Sequence, residues 1–167
     1  MLEDQIIRWT ARIAVGCYCV RLILDAGGSK SPQIRQRSRG WWTLGCAVFL
    51  VHVIAAYHFQ YHWDHTVAFD YTAKRTAELT GWNSGFGLYI NELFLAIWLI
   101  DTILWWRNLN WSQNRLVYWT VQFIFGFLTF QATAVFGPPF WKPIVVGVIL
   151  CLVVLRIRRQ HPTLNQQ

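Results

Sequence analysis

The stretch from Trp41 to His65 constrains this chain more than any other. Its first part is apolar and long enough to cross a bilayer, because a hydrocarbon core of about 30 Å needs about 20 apolar residues in a helix. Four of the five histidines lie in its second part. The stretch therefore predicts both a membrane span and a concentration of titratable side chains near one end of it.

The composition agrees with a membrane protein. Of 167 residues, 54% are hydrophobic and only 14% are charged, whereas a soluble domain usually carries about 25% charged residues. The net charge of +7 does not indicate nucleic-acid binding, because the basic residues lie mostly in short segments between apolar runs, where they orient a protein in a bilayer. We expect a single multi-pass domain over residues 1–167, with the lipid bilayer as its first partner.

The apolar runs predict an all-α integral membrane protein. We expect a bundle of five transmembrane helices, or of four if the first segment lies at the interface, because Arg8, Arg12 and Arg21 interrupt that segment. A charged side chain at the centre of a membrane costs about 3 kcal/mol on insertion scales, although these arginines lie near the segment ends and could extend to the headgroups. The predicted spans are residues 6–24, 41–62, 86–106, 116–136 and 140–155.

The loops predict an orientation. Residues 25–40, 107–115 and 156–159 are rich in arginine, which marks cytoplasmic segments. We therefore expect the N-terminus outside, the C-terminus in the cytoplasm, and a bacterial-type inner membrane. The outer loop, residues 63–83, predicts a short amphipathic helix over Thr66–Thr80 that ends at Gly81. One side of this helix comprises Ala68, Tyr71, Thr72, Arg75 and Leu79, and we expect the helix to lie along the membrane surface.

Three histidines recur at helical spacing at the outer end of the second span. His58, His62 and His65 stand at i, i+4 and i+7, and they share an arc of about 60° if the helix continues past Trp63. At a rise of 1.5 Å per residue, Glu92 lies about 10 Å inside the outer end of the third span. A carboxylate at that depth requires a partner or a proton.

This pattern predicts a metal site. His58 and His62 are one turn apart, which is the spacing of helical metal ligands, and we expect the third ligand to come from Glu92, with Asp64 and Asp70 as alternatives. Imidazole with carboxylate suits Cu, Fe or Zn. The alternative is an interfacial cap, because His, Tyr and Trp side chains favour the headgroup region. Possible neighbours of the site are His52, His65, Asn91 and Gln131.

Haem is a separate possibility. A bis-histidine haem needs axial ligands from opposite sides, but no predicted span other than the second carries a histidine and the only methionine is Met1. We therefore do not expect a bis-histidine haem in one chain. Two alternatives stay open: a five-coordinate haem, or a haem that takes one axial ligand from a second subunit.

No protease, nucleotide-binding or zinc-finger motif is present in the sequence, so we assign no catalytic residue. The leading hypothesis is a small membrane protein whose outer His/carboxylate cluster binds a transition metal or handles protons or electrons within a larger complex. The second is a non-catalytic accessory or assembly subunit, with other membrane subunits or a second copy as partners. The third is a small transporter or channel, although no inverted repeat is evident.

Overall fold

A computed structural model describes residues 2–27, 31–108, 110–135 and 137–160. The described residues are mostly helical and contain no strand, so the all-α prediction is confirmed. Two π-helical turns, Ala56–Gln60 and Gln131–Val135, follow α2 and α5, and a 3₁₀ turn, Trp111–Gln113, precedes α5. The α-helices are α1 (Leu2–Ala26), α2 (Pro32–Ala55), α3 (His65–Thr80), α4 (Phe86–Arg107), α5 (Arg115–Phe130) and α6 (Trp141–Gln160).

Three helical segments are long and apolar enough to cross a membrane: Pro32–Gln60, Phe86–Arg107 and Arg115–Ala134. This is fewer than the five spans predicted. The helices at the other two predicted spans, α1 and α6, are long but carry several charged residues. Helix α1 carries three arginines, and α6 carries Lys142, Arg156 and Arg158 within its described length.

The predicted loop between the first two spans is mostly helical. Helix α1 continues to Ala26 and α2 begins at Pro32. The prediction that residues 25–40 form a loop is therefore wrong outside the short Gly/Ser/Pro stretch. Residues 28–30 of that stretch lie outside the described part. Proline is accepted at a first helical position because its missing N–H has no helical partner there. The Ser31 hydroxyl accepts the Ile34 N–H at 3.3 Å and caps this end.

Helix α3 agrees with its predicted bounds. It spans His65–Thr80 and ends at Gly81, whose φ of 78° is the left-handed conformation that favours glycine. On the predicted side of the helix, Tyr71, Arg75 and Leu79 are exposed. The less exposed side is one of mostly small residues at i, i+4 and i+8 spacing: Ala68, Phe69, Thr72, Ala73, Thr76 and Ala77.

The chain divides into two compact units, and each is described by itself. Unit 1 comprises Met1–Ala14 and Gly45–Leu109. Its core contains Trp98 and Phe94, whose rings pack at 5.4 Å, and Phe49, whose ring lies 5.7 Å from that of Trp98. Asp101 and Trp105 are also buried in this unit.

Unit 2 comprises Val15–Leu44 and Asn110–Gln167. Its core is an aromatic cluster in which the rings of Trp42 and Phe125 lie 4.6 Å apart, with Tyr18 about 6 Å from both. Arg21 is also in this core, with only 2% of its surface exposed. The expectation that Arg21 extends to the headgroups is therefore wrong, because the core of unit 2 provides partners for its charge.

Candidate functional site

The end of the second span is a π-helical turn rather than a continued α-helix. The Tyr61 N–H donates to the Ala56 carbonyl at 3.1 Å, five residues back, and the Trp63 N–H donates to the Tyr57 carbonyl at 2.9 Å, six residues back. Such widened turns occur frequently at functional sites. Here the turn adds a residue to the helical repeat, so side chains after Ala56 no longer follow the 100° steps of an α-helix.

A tight reversal follows the π turn. His62 and Trp63 have φ values of 50° and 61°, a left-handed conformation that is uncommon for residues other than glycine. The Asp64 carboxylate then accepts the N–H groups of Thr66 and Val67 at 2.8 and 3.3 Å and caps α3. The reversal places His65 at the first position of α3 instead of on an extended α2.

Close packing between α3 and α4 positions the next part of the site. A Cβ atom at Gly85 would lie 2.7 Å from ring atoms of Phe69, and a Cβ atom at Gly87 would lie 3.2 Å from the Thr72 methyl group. The absence of a side chain at both glycines thus allows α3 to approach the start of α4. This approach holds His65 near the second turn of α4, where Glu92 lies.

One carboxylate oxygen connects three elements of unit 1. The Tyr57 hydroxyl donates to Glu92 Oε1 at 2.6 Å, and His65 Nε2 lies 3.2 Å from the same oxygen. The His65 ring also packs against Tyr89 at 5.5 Å between centroids. We call Tyr57, Glu92 and His65 the Glu92 cluster. It joins the π turn, α3 and α4 through a single acceptor atom.

The Glu92 cluster is partly open to the surroundings. The side chains of His65 and Glu92 are 48% and 38% exposed. Ion pairs with this much exposure typically contribute only about 0–1 kcal/mol to stability. The cluster therefore contributes little to stability, and it is not enclosed by the protein.

The two expected metal ligands on the second span are not part of the Glu92 cluster. His58 is exposed, and its ring contacts Phe59 at 4.8 Å and Trp63 at 6.4 Å. His62 is also exposed and lies in the reversal. The predicted shared arc of His58, His62 and His65 is wrong, because the helix does not continue past Trp63.

The expected neighbours have separate environments. His52 Nδ1 lies 2.9 Å from the Ile7 carbonyl oxygen and 3.4 Å from the Thr10 hydroxyl, and its ring stacks on Phe49. It thus connects α2 to the first turns of α1 within unit 1. Asn91 is exposed on α4. Gln131 begins the second π turn, in unit 2.

Tyr57 is the residue that sequence reasoning missed. From the sequence, only the general preference of Tyr and Trp for the headgroup region applied to it, and the contact of Tyr57 depends on the π turn, for which the sequence carries no signal. Tyr61, which follows the turn, packs its ring 5.6 Å from Tyr71. Burial, with a smaller contribution from Tyr71, raises the pKa of Tyr61 above its usual range, so this phenol is neutral at physiological pH.

A second polar cluster lies in unit 2. Arg21 Nε lies 3.5 Å from Asp25 Oδ2, and the Arg21 guanidinium carbon lies 3.8 Å from the centroid of the Trp42 ring. The Ser38 hydroxyl donates to Asp25 Oδ1 at 2.6 Å. We call Arg21, Asp25, Ser38 and Trp42 the Arg21 cluster. Its burial distinguishes it from the half-open Glu92 cluster.

Neither cluster assembles a complete metal site. Among the described residues there is no group of three or more histidine, cysteine or carboxylate side chains that could hold a metal ion. The ligand set His58, His62 and Glu92 therefore stays a prediction from sequence. The pair of His65 and Glu92 offers one imidazole nitrogen and one carboxylate.

Comparisons with known proteins identify no relative. No family model, curated protein or solved structure matches the chain. Functional conclusions consequently rest on the chemistry of the residues described above.

Proposed function

We propose that this chain is a multi-pass helical membrane protein in which the Glu92 cluster exchanges protons at one end of the spans. The observation that carries the proposal is the shared acceptor, Glu92 Oε1, which lies within hydrogen-bond distance of both Tyr57 and His65. This carboxylate has two neighbouring groups that respond to its charge, and one of them, His65, lies at the start of α3, outside the span Phe86–Arg107.

The geometry limits where the proton can reside. A carboxylate only accepts hydrogen bonds, whereas imidazole Nε2 donates when protonated and accepts when it is not. A hydrogen bond between His65 and Glu92 therefore requires one proton between them, either on Nε2 or on the carboxyl oxygen. Tyr57 donates to the same oxygen, and this hydrogen bond is strongest when Glu92 is ionised. Transfer of the proton from Glu92 to His65 would thus strengthen the Tyr57 contact.

Infrared titration of the purified protein tests this proposal. We expect carboxyl absorption from Glu92 to change together with imidazole absorption from His65 when the pH is varied, because one proton is shared between the two groups. Glu92→Gln should remove the coupled change. Glu78→Gln is the matched control, since Glu78 is an exposed carboxylate paired with Arg75 on α3. If the spectra of wild type and Glu92→Gln change identically with pH, the Glu92 cluster exchanges no proton.

Transition-metal binding is an alternative activity that we propose for the same cluster. His65 and Glu92 supply two ligands of the kind that Cu, Fe and Zn accept, and the exposed His58 and His62 lie in the same segment of unit 1. Metal analysis of purified wild type, compared with the double variant His58→Ala/His62→Ala and with His65→Ala, tests this alternative. A metal content that is unaffected by all three substitutions would contradict it.

An accessory role is the second candidate function. One side of α4 exposes large apolar side chains, including Leu93, Ile100, Ile103 and Trp106, and such a side can face lipid or another membrane subunit. Co-purification of a stoichiometric membrane partner, lost in a variant with charged residues at Ile100 and Ile103 and retained in Glu92→Gln, would favour this role. A small transporter ranks third, and proton flux into proteoliposomes that requires Glu92 would favour it.

We further propose that α1 and α6 also cross the membrane, which gives five spans. At 1.5 Å per residue, the two helices are about 37 and 30 Å long, enough for a hydrocarbon core of about 30 Å. The basic residues favour an external N-terminus and a cytoplasmic C-terminus in a bacterial-type inner membrane. Reporter fusions at each terminus test this topology, and reporters on the same side would contradict five spans.

A further inference from the structure

Unit 2 contains a groove between three helices. Side chains from α1, α5 with its following π turn, and α6 line a space of about 210 Å³. Val15, Tyr18 and Leu22 contribute from α1, while α6 contributes a long stretch from Trp141 to Leu152. The groove is thus elongated along α6 and is partly open.

The groove offers a ligand almost no polar contact. The Thr133 hydroxyl donates to the Thr129 carbonyl at 2.7 Å, and the Tyr18 hydroxyl donates to Gln122 Oε1 at 3.0 Å. These hydrogen bonds occupy the hydroxyl protons of two lining residues. The remaining lining side chains are largely aliphatic and aromatic, so the chemistry of the groove selects a hydrocarbon.

Glycine keeps part of the groove open. Gly126 lines it on α5, and a Cβ atom there would lie 3.7 Å from the Tyr18 hydroxyl, an ordinary contact distance. A small side chain would therefore fit at this position, whereas a large one would extend into the groove. Because Arg115–Ala134 is long and apolar enough to cross a membrane, lipid acyl chains are the apolar molecules that a groove beside this helix would meet most often.

A positive charge continues the groove-lining side of α6. Val145, Ile149 and Leu152 line the groove, and Arg156 follows Leu152 by four residues, which places it about 6 Å further along the same side. Arg156 is exposed. Arginine is well suited to phosphate, because its planar guanidinium forms two parallel hydrogen bonds to phosphate oxygens.

We propose that this groove binds one acyl chain of an anionic phospholipid, whose headgroup phosphate contacts Arg156. The apolar wall accounts for the chain, and the arginine at its end accounts for the charge. This inference concerns unit 2 and is independent of the proton-exchange proposal for the Glu92 cluster.

Native mass spectrometry of the full chain in detergent, titrated with phosphatidylglycerol or phosphatidylcholine, tests the inference. A basic residue near an anionic lipid surface contributes enough free energy for about fivefold tighter binding, so we expect wild type to prefer phosphatidylglycerol by about that factor. Arg156→Gln should abolish the preference while keeping phosphatidylcholine binding. Arg158→Gln is its control, since two residues further along the helix this arginine points about 200° away.

A second pair of variants tests the acyl-chain part of the groove. Gly126→Leu should lose binding of both lipids, because the new side chain occupies the space of the acyl chain. Gly147→Leu makes the same substitution on α6, where a Cβ atom meets nothing within 4 Å, and should bind both lipids as wild type does.

Four outcomes would overturn the inference. Equal binding of the two lipids by wild type would remove the role of Arg156. Equal effects of Gly126→Leu and Gly147→Leu would remove the role of the groove. Retention of a prenyl-chain quinone in place of a phospholipid, or a second copy of the chain cross-linked over the groove through Cys151, would identify a different occupant.

Discussion

Removing the carboxylate of the Arg21 cluster should strongly destabilise unit 2. Asp25 makes two contacts there: its Oδ2 atom lies 3.5 Å from Arg21 Nε, and its Oδ1 atom accepts the Ser38 hydroxyl at 2.6 Å. Because Arg21 is only 2% exposed, its charge cannot be compensated by water. Asp25→Asn keeps the size of the side chain and removes only its negative charge.

The expected loss can be estimated from this geometry. Breaking a buried ion pair by removing one partner typically costs about 3–5 kcal/mol, since the other charge stays buried. We expect Asp25→Asn near the lower end, about 3 kcal/mol, because the amide oxygen can still accept the Ser38 hydroxyl and the Trp42 ring still faces the guanidinium. Ser38→Ala should cost about 1 kcal/mol, the usual value for one hydrogen bond.

Equilibrium unfolding in mixed micelles, followed by tryptophan fluorescence, measures these changes. The double variant Arg21→Met/Asp25→Leu removes both charges. It should be more stable than the summed effects of Arg21→Met and Asp25→Leu predict, with a coupling energy of about 1–3 kcal/mol. Asp70→Asn, the same change at an exposed position of α3, should stay within about 0.5 kcal/mol of wild type. Loss of less than about 1 kcal/mol in Asp25→Asn, or strictly additive substitutions, would refute the ion-pair explanation.

Three further substitutions test the packing that positions the clusters. Gly85→Ala should destabilise the protein by about 1–3 kcal/mol, because the added Cβ would lie 2.7 Å from the Phe69 ring; unchanged urea resistance would contradict this close approach. Asp64→Ala should cost about 1 kcal/mol by removing the cap of α3, with hydrogen exchange increased in the first turn of that helix and not in its last. Phe125→Ala should cost about 3–5 kcal/mol, since Phe125 is fully buried, and a smaller cost, measured by unfolding, would indicate that the cavity collapses.

The sequence predicted the helices well where apolar periodicity and end signals agree. Helix α3 has an acidic cap and a terminal glycine, and both of its ends are within one residue of the prediction. The start of α2 was missed because the arginines after Pro32 were taken as loop charges. Arginine is a good helix former, so such a segment can mark the cytoplasmic side and still be helical.

The site could be predicted only in part. Glu92 was identified from depth alone, because a carboxylate within an apolar helix requires a partner. Its partners depend on a π turn and a left-handed reversal, which together replace His58 and His62 with Tyr57 and His65. Adjacent residues on a helix point 100° apart, so the residue that the π turn adds changes which of the later side chains share a side, and the reversal moves His65 onto α3.

The two polar clusters differ in exposure, and this difference leads us to expect a structural role for the Arg21 cluster and proton exchange at the Glu92 cluster. Arg21 is 2% exposed and has a carboxylate and an aromatic ring as fixed partners, and a buried pair of this kind resists any change of charge because the remaining partner would be left uncompensated. Glu92 is 38% exposed beside a 48% exposed imidazole, so this pair is not enclosed by protein as Arg21 is. A group that exchanges protons must be reached from outside the protein core, and of these two clusters our proposal assigns that role to the Glu92 cluster. We therefore expect substitutions in the Arg21 cluster to change stability and substitutions in the Glu92 cluster to change proton exchange.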